Sequence, residues 1–186
     1  NDVFMVPSMS TVSSRLDVNL QTPDNLGTHI PVVVSNMTAV AGRRMAETVA
    51  RRGGLVVLPQ DIPLDIIEQV VGYVKSRHVL FETPITLGPT DTLGEALSLI
   101  HKRAHGAVVV VDEGRPVGIF TEHDSVGFDR FTQLKNVMNP DIVSVADAMD
   151  IVAIHDLLVD QRLNFAPVVD GAGHLVGCVT RRGALR

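Results

Sequence analysis

An aspartate that directly follows an apolar run is the first residue whose position suggests chemistry. The segment "PVGIFTEHD" places Asp124 three residues after Thr121, at the start of a helix-like stretch. A carboxylate can accept hydrogen bonds from two hydroxyl groups, and a helix N-terminus favours phosphate. The same position also suits an aspartate that only caps the helix. The segment therefore predicts either contact with a phosphorylated, hydroxyl-bearing ligand or a helix cap.

The same phrase occurs a second time without its aspartate. "GRPVGIFTEHDSV" at 114 is matched by "GHLVGCVTRRGAL" at 173, so Thr180 is retained and Gly183 replaces Asp124. Arg181 and Arg182 follow Thr180 directly, and arginine pairs well with phosphate oxygens. We expect one complete pocket, with the second copy supplying phosphate contacts or a weaker site. The alternative is that the two arginines are simply solvated.

Neither the cysteine nor the histidines predict a reactive or metal site. Cys178, the single cysteine, lies in "LVGCVT", at a strand position that an aliphatic residue fills in the first copy. A catalytic cysteine needs an exposed, electropositive setting, so we expect a buried small hydrophobe instead. His101 and His105 have the spacing of metal ligands on a helix. Lys102 and Arg103 would repel a cation, so no metal is predicted.

The composition restricts the class of protein. The chain has 186 residues, of which 45% are hydrophobic and 20% charged, as in soluble globular domains. It has no apolar run of about 18 residues, the length that spans a membrane, and its first residues do not resemble a signal peptide. The single cysteine fits a reducing cytoplasm. A net charge of -5 and the absence of tryptophan argue against a nucleic-acid surface.

Each copy of the repeated phrase ends a longer repeat. "ITLGPTDTLGEALSLI" at 85 is matched by "VSVADAMDIVAIHDLL" at 143, and the apolar runs that follow end at Asp112 and Asp170, 58 residues apart. Each repeat predicts a short strand, a helix, a strand, a tight turn, a strand and the start of a helix. One such unit cannot bury both faces of its sheet, whereas two stacked copies can.

Apolar residues recur at the helical period in both repeats. The predicted buried faces are formed by Leu93, Ala96, Leu97 and Ile100 in the first repeat and by Ile151, Ile154, His155 and Leu158 in the second. His155 replaces Leu97 on this face, and we expect a hydrogen-bonded core histidine there.

The first 75 residues have a different organisation. "IPVVVSNMTAV" and "GLVVLPQD" predict strands, with a helix between them that ends at Gly53 and Gly54. A second helix, "LDIIEQVVGYVKS", follows, so the pattern predicts parallel βαβ units. The first helix is amphipathic through Met45, Ala46 and Val49, and its basic residues predict a solvated face. Because two parallel strands make a poor core alone, we expect part of a larger protein.

The doubled unit resembles a CBS-domain pair (Bateman module), since "GIFTEHD" matches the Gly-hydrophobic-x-Thr-x-x-Asp signature of that family. The opening "DVFMVPSMSTVSSRLDVNL" resembles the N-terminal loop of IMP dehydrogenases and GMP reductases. "IPVVVSNMTAV" and "MAETVARRGGLVVLPQD" resemble their first two barrel strands. In that family a CBS pair is inserted after the second barrel helix. The wording "SNMTAVAGRRMAETVARRGG" is most similar to an IMP-dehydrogenase-related branch whose members act as GMP reductases.

The resemblance implies an α/β architecture. Residues 1–78 would begin a TIM (β/α)8 barrel, and residues 79–138 and 139–186 would form the two CBS domains, of the α+β type. The family uses a purine nucleotide substrate, NAD or NADP and a nucleophilic cysteine, at the C-terminal ends of the barrel strands. The loop that carries this cysteine is absent here, so we expect no catalytic residue and no activity in this chain alone.

The resemblance also implies roles for individual residues. The residues implied to contact the substrate in the complete enzyme are Ser35, Asn36, Met37 and Gln60, and Asp61 lies beside them. The alternative is that the segment after the first strand is only a turn, with Thr38 as the cap of the following helix. Asp124 would bind ribose hydroxyls and Thr121 would lie near the phosphates. The positions implied to bind the regulatory nucleotide are Thr86, Ala107, Val109, Thr121, Asp124, Ser144, Phe165, Ala166, Pro167, Thr180, Arg181 and Arg182. As single residues, those in the strands also suit a plain core.

We therefore expect the CBS pair to bind ATP, GTP, AMP or a related purine nucleotide, to regulate the barrel, and to take part in a homo-oligomer. Regulation of this kind requires unequal binding to two states. A first alternative is a stand-alone, non-enzymatic CBS sensor or dimerisation module. A second is a purely structural pair with empty pockets, for which Gly183 is the best support.

Overall fold

The computed structural model describes Phe4 and residues 6–185. Contacts between residues divide the chain into two compact units, Asn1–Arg77 and His78–Arg186. None of the helices in the described ranges is both long enough and apolar enough to cross a membrane.

The first unit contains two short parallel strands, each followed by a helix. Its elements are a 3-10 turn at Arg15–Asp17, β1 at Val33–Val34, α1 at Arg43–Arg51, β2 at Leu55–Val56 and α2 at Leu64–Lys75. Val33 lies opposite Leu55 in the parallel pair. The predicted βαβ order and both helices are confirmed. Each strand keeps only two residues in a ladder, fewer than the apolar runs predicted.

The predicted apolar face of α1 is wrong at Met45, which is 37% exposed. Glu47, a charged residue of the same helix, is only 1% exposed. The Glu47 carboxylate tolerates burial because it is paired: Arg51 Nη1 donates to Oε1 at 2.9 Å, and the Tyr73 hydroxyl donates to Oε2 at 3.3 Å. Tyr73 belongs to α2, so this buried carboxylate joins the two helices.

The second unit consists of two similar three-stranded sheets. The first repeat contains β3 at Ile85–Leu87, α3 at Leu93–Ile100, β4 at Ala107–Asp112, β5 at Arg115–Thr121 and short 3-10 turns at Glu122–Ser125 and Leu134–Asn136. The second contains β6 at Val145–Ala146, α4 at Ile151–Asp160, β7 at Phe165–Val169 and β8 at Leu175–Thr180. The sheet orders are β3-β4-β5 and β6-β7-β8. In each, the first pair is parallel and the second antiparallel, which confirms the predicted order of elements.

The helices bury five of the eight residues on the faces that their periodicity predicted. Leu93, Ala96 and Ile100 are at most 1% exposed, and Ile154 and Leu158 are fully buried. Leu97 and Ile151 are only partly buried, although they pack against the two cores. The remaining position is the predicted core histidine, His155.

His155 is only partly buried, with 24% of its side chain exposed. Its Nδ1 lies 3.4 Å from the carboxylate of the exposed Asp156. The ring therefore lies at the margin of the core, where the carboxylate of Asp156 is available as its polar partner.

Each sheet is extended by the segment that precedes the other repeat. Glu82, before β3, exchanges two backbone hydrogen bonds of 2.8 Å with Cys178 on β8. Asn139, before β6, exchanges bonds of 2.8 and 3.0 Å with Ile119 on β5. The repeats are therefore joined by hydrogen-bonded backbone as well as by side chains.

A glycine within each receiving strand permits this close approach. A Cβ atom at Gly177 would lie 2.8 Å from Phe81 Cβ, and one at Gly118 would overlap the side chain of Met138. In both copies, the glycine of the repeated "VG" therefore leaves space for the segment that packs against the strand.

A small apolar cluster lies between the two sheets. Ala107 and Val109 of β4 pack with Phe165 of β7 and Cys178 of β8, all at most 9% exposed. The two copies thus bury the inner faces of each other's sheets, as the doubled sequence predicted.

Candidate nucleotide-binding site

The predicted ligand carboxylate is held in a fixed orientation by its own strand end. Thr121 donates to Asp124 Oδ2 from both its backbone N–H and its hydroxyl, each at 2.7 Å. Thr121 Oγ1 also accepts the Asp124 backbone N–H, which completes a capping box. Both bonds fall on Oδ2, so within the described chain Oδ1 has no intramolecular partner and can accept from a ligand hydroxyl.

The prediction that Asp124 itself caps and begins the helix is wrong, because the N-cap residue is Thr121 and Asp124 is the third residue of the turn. Its carboxylate instead completes the capping box of Thr121, which is compatible with ligand contact. The helical segment is only the four-residue 3-10 turn Glu122–Ser125, shorter than the helix expected. A turn of this length adds little dipole, so the prediction that a helix N-terminus attracts phosphate loses its support here.

The antiparallel ladder sets the place of this pair in the fold. Thr121, the last residue of β5, lies opposite Ala107, the first residue of β4. Thr121 and Asp124 are partly buried at this edge of the sheet. They are thus presented beside the inter-repeat cluster rather than at the hairpin end.

The second copy retains half of this arrangement. The Gly183 N–H donates to Thr180 Oγ1 at 3.0 Å, so the hydroxyl still caps the turn. The carboxylate that would return a bond to Thr180 is missing. Arg181 and Arg182 are exposed, and the Arg181 backbone N–H donates to the Asn164 carbonyl at 3.1 Å.

Most of the predicted base-pocket residues have almost no accessible surface in this conformation. Ala107, Val109, Phe165, Ala166 and Pro167 are all buried. The first three belong to the inter-repeat cluster and Ala166 to the core of the second repeat. Their placement matches the alternative of a plain core.

Thr86 and Ser144, the other two predicted pocket positions, are exposed. Thr86 lines an open cleft of ≈ 420 Å³ at the hairpin end of the first repeat, together with Asp91, Gly114 and Leu175. The Gly114 carbonyl accepts the Leu175 N–H at 2.8 Å. Of the predicted nucleotide-binding residues only Thr86 lines this cleft, so the structure does not bring the predicted set together in one cavity.

The predicted substrate residues follow the two strands of the first unit. Ser35, Asn36 and Met37 come directly after β1, Gln60 lies four residues beyond β2, and all four are exposed. Parallel strands end at the same edge of a sheet, so these side chains emerge on one side. The alternative that Thr38 caps α1 is wrong, since the N-cap residue is Gly42.

The cysteine and the two histidines lie in different environments. Cys178 is fully buried, and its Sγ donates to the Glu82 carbonyl at 3.3 Å, which confirms a packed thiol. The His101 side chain is 74% exposed beside Glu122, whereas His105 packs on Phe165. The described residues contain no group of three or more His, Cys, Asp or Glu side chains placed to bind a metal.

Two features of this unit were not predicted from the sequence. The strand exchange at Glu82 and Asn139 has a readable signal, the glycine shared by "PVG" and "LVG". The half-buried His105 gives no such signal, because the ring that covers it, Phe165, comes from the other repeat.

Comparisons with known proteins identify relatives that match the whole length of the chain. The family model described as "IMP dehydrogenase / GMP reductase domain" matches residues 1–172. A GMP reductase of Mycobacterium tuberculosis is 52% identical over all 186 residues, which make up 39% of that protein. An inosine-5'-monophosphate dehydrogenase of Methanocaldococcus jannaschii is 31% identical over 190 residues, 100% of this chain and 38% of that protein. The chain thus spans about two-fifths of the length of these relatives.

Solved structures show the same relationship. A GMP reductase from Trypanosoma brucei in complex with guanosine 5'-triphosphate superposes with a TM-score of 0.65 at 28% identity, over 97% of this chain and 46% of that one. The cytosolic domain of the Mg2+ channel MgtE in complex with ATP gives 0.55 at 26% identity, over 63% of this chain and 54% of that one. Repeats, strand ends and relatives together place this chain in the IMP dehydrogenase / GMP reductase family.

Proposed function

We propose that the chain is the N-terminal and regulatory portion of a purine-nucleotide oxidoreductase of the GMP reductase branch. Residues 1–78 would begin a (β/α)8 barrel, and residues 79–138 and 139–186 would be CBS domains. The higher identity to a GMP reductase, 52% against 31% for an IMP dehydrogenase, supports this branch. By itself the chain lacks the loop with the nucleophilic cysteine, so it is catalytically inactive.

The single observation that carries the regulatory part is the geometry of Asp124. Its Oδ2 is saturated by two bonds of 2.7 Å from Thr121, which leaves Oδ1 as an oriented acceptor for a ribose hydroxyl. Thr121 then lies near the phosphates, and the exposed Arg181 and Arg182 supply positive charge for them. Relatives solved with GTP and with ATP support a purine nucleotide as the ligand.

The buried strand residues require a further step in this proposal. Ala107, Val109, Phe165, Ala166 and Pro167 could contact a base only after the inter-repeat cluster opens, with Thr86 and Ser144 at its accessible margin. Nucleotide binding would then favour a more open state over this closed one. That difference in affinity is what regulation of the barrel requires.

In the complete enzyme, Ser35, Asn36, Met37 and Gln60 contact the purine nucleotide substrate. Their exposure at one edge of the β1–β2 pair supports this role. NAD or NADP would exchange the hydride with the purine ring. No residue of this chain is assigned to that cofactor. The CBS pair and the barrel would both contribute to a cytoplasmic homo-oligomer.

A second candidate is a nucleotide sensor without catalysis. The likeness of 63% of this chain to the ATP-bound cytosolic domain of a Mg2+ channel favours it, because that neighbour is a channel domain. The match of the family model to residues 1–172 favours the enzyme, since a sensor alone needs no barrel strands.

Calorimetric titration of this chain with ATP, GTP, AMP and GMP tests the proposal. We expect one site per chain, and Asp124→Ala should weaken binding by about 1–3 kcal/mol, because the ribose hydroxyls lose a charged acceptor. The Tm of each variant without nucleotide, measured in parallel, reports the loss of the capping box, whereas the titration reports the loss of ligand contact.

Asp160→Asn is the matched control, since it removes the same charge from the exposed end of α4. It should bind as the wild type does. Equal affinity in wild type and Asp124→Ala would refute the ribose contact, and no binding to any of the four nucleotides would leave a structural pair.

A further inference from the structure

His105 occupies an unusual position between the two repeats. It lies in the loop between α3 and β4, and its ring packs against Phe165 of β7 at a centroid distance of 5.1 Å and an interplanar angle of 40°. Phe165 in turn belongs to the cluster that joins the two sheets. The imidazole is thus a bridge from the first repeat onto the second.

The hydrogen bonding of the ring fits only the neutral form. Nδ1 accepts the Ala107 backbone N–H at 3.4 Å, so the ring proton resides on Nε2. Nε2 is buried, and no described residue gives it a well-formed hydrogen bond, although the backbone of Thr83 makes a weaker polar contact with the ring. A protonated ring would have to place a second proton on Nδ1, facing the N–H of Ala107, and Nδ1 would lose the hydrogen bond that it accepts in the neutral form.

The surrounding charges do not compensate for this. Burial lowers the pKa of His105 from its ordinary value of 6.5. The carboxylate of Glu82 and the backbone of Thr83 raise the pKa, whereas Arg103 lowers it further, and burial has the largest effect. These groups come from the segment before β3 and from the loop that carries His105 itself.

We infer that His105 is a pH-sensitive link between the repeats, which holds them together when neutral and weakens their contact when protonated. The sign follows from proton linkage. Because the folded chain binds this proton less readily than the unfolded chain, the stabilisation is complete above the ordinary pKa of 6.5 and declines as the pH falls below it. The inference concerns the contact itself and holds whether or not a nucleotide binds.

Nuclear magnetic resonance titration of the histidine side chains of the whole 186-residue chain is the first test. The resonance that disappears in His105→Asn identifies the residue, and its titration midpoint should lie below the ordinary value of 6.5. Phe165→Leu removes the ring that covers the imidazole, so it should move this midpoint upward. A His105 midpoint at or above 6.5 would overturn the inference.

Thermal unfolding provides the second test. Between roughly pH 7.5 and pH 5.5, the range in which histidine changes charge, the Tm of the wild type should fall more than that of His105→Asn. Asparagine can still accept the Ala107 N–H but does not titrate.

His101→Gln is the control for the other histidine of the pair and should keep the full wild-type pH dependence. An identical fall of Tm in wild type and His105→Asn would contradict the link. If His105→Asn does not fold, the wild-type titration and the shift in Phe165→Leu still decide the question.

Discussion

The two repeats share one scaffold and differ in the chemistry at its end. Both fold as strand, helix, strand, turn and strand, and both retain a threonine whose hydroxyl caps the following turn. Only the first adds a carboxylate, Asp124, where the second has Gly183. In both copies the threonine hydroxyl therefore accepts the backbone N–H that needs a partner at the turn. The second copy folds without the carboxylate, so the fold itself does not require it.

The hydrophobic cores of the two repeats differ as well. Phe120 in the first repeat and Val179 in the second occupy matching positions on β5 and β8, and both are at most 1% exposed. The first core is thus built around a larger side chain. The second compensates with Phe81, which comes from the segment before the first repeat.

The largest effect is expected from removing the aromatic ring of the first core. Phe120→Ala should cost about 3–5 kcal/mol of unfolding free energy, since it leaves a cavity among buried neighbours. Val179→Ala removes fewer atoms and should cost about 2 kcal/mol. Equilibrium urea unfolding of both variants measures the difference, and equal losses would show that the two cores do not differ in this way.

A smaller effect is expected at the glycines that admit the exchanged segments. Gly177→Ala should cost about 1–3 kcal/mol, because its Cβ would meet Phe81 Cβ, an atom fixed to the backbone. A Cβ at Gly118 would lie 3.2 Å from the Asn139 carbonyl oxygen, but its two shortest contacts are with the side chain of Met138. Gly118→Ala should cost less, since that flexible side chain can move aside. Circular dichroism melting curves compare them.

Gly171→Ala serves as the control for the glycine pair. Its Cβ would have open space around it, so its melting curve should match that of the wild type. A Gly118→Ala variant less stable than Gly177→Ala would reverse the order that we expect.

The sequence predicts this scaffold well because local patterns determine it. Helical periodicity identified the buried faces of α3 and α4, and the repeat fixed the order of strands. The sequence carries no signal where the deciding partner is distant: Glu47 is buried because Tyr73, 26 residues away, completes its pairing. The site is an intermediate case. The sequence singled out Asp124 and the start of a helical turn, whereas the capping box with Thr121 and the single acceptor atom left for a ligand required the structure.

The smallest expected effect comes from restoring the missing carboxylate. The backbone of Gly183 is not in the left-handed region, but a Cβ there would lie 2.9 Å from Thr180 Oγ1 and 3.3 Å from the Thr180 carbonyl oxygen, so the turn must shift by a few tenths of an ångström. The matching turn of the first copy holds Asp124 beside Thr121. Gly183→Asp should therefore complete a capping box with Thr180 and raise stability by about 0.5–1 kcal/mol.

The same variant tests what limits the second copy as a ligand site. If the carboxylate alone is missing, titration of Gly183→Asp with the nucleotide bound by the wild type should give two sites per chain, with Arg181 and Arg182 beside the new one. Gly183→Asn controls for the cap, since asparagine can accept the Thr180 N–H but is uncharged, and it should leave the stoichiometry unchanged. A stabilised Gly183→Asp that still binds one nucleotide would mean that the two repeats differ in the walls of the pocket as well as in the anchor.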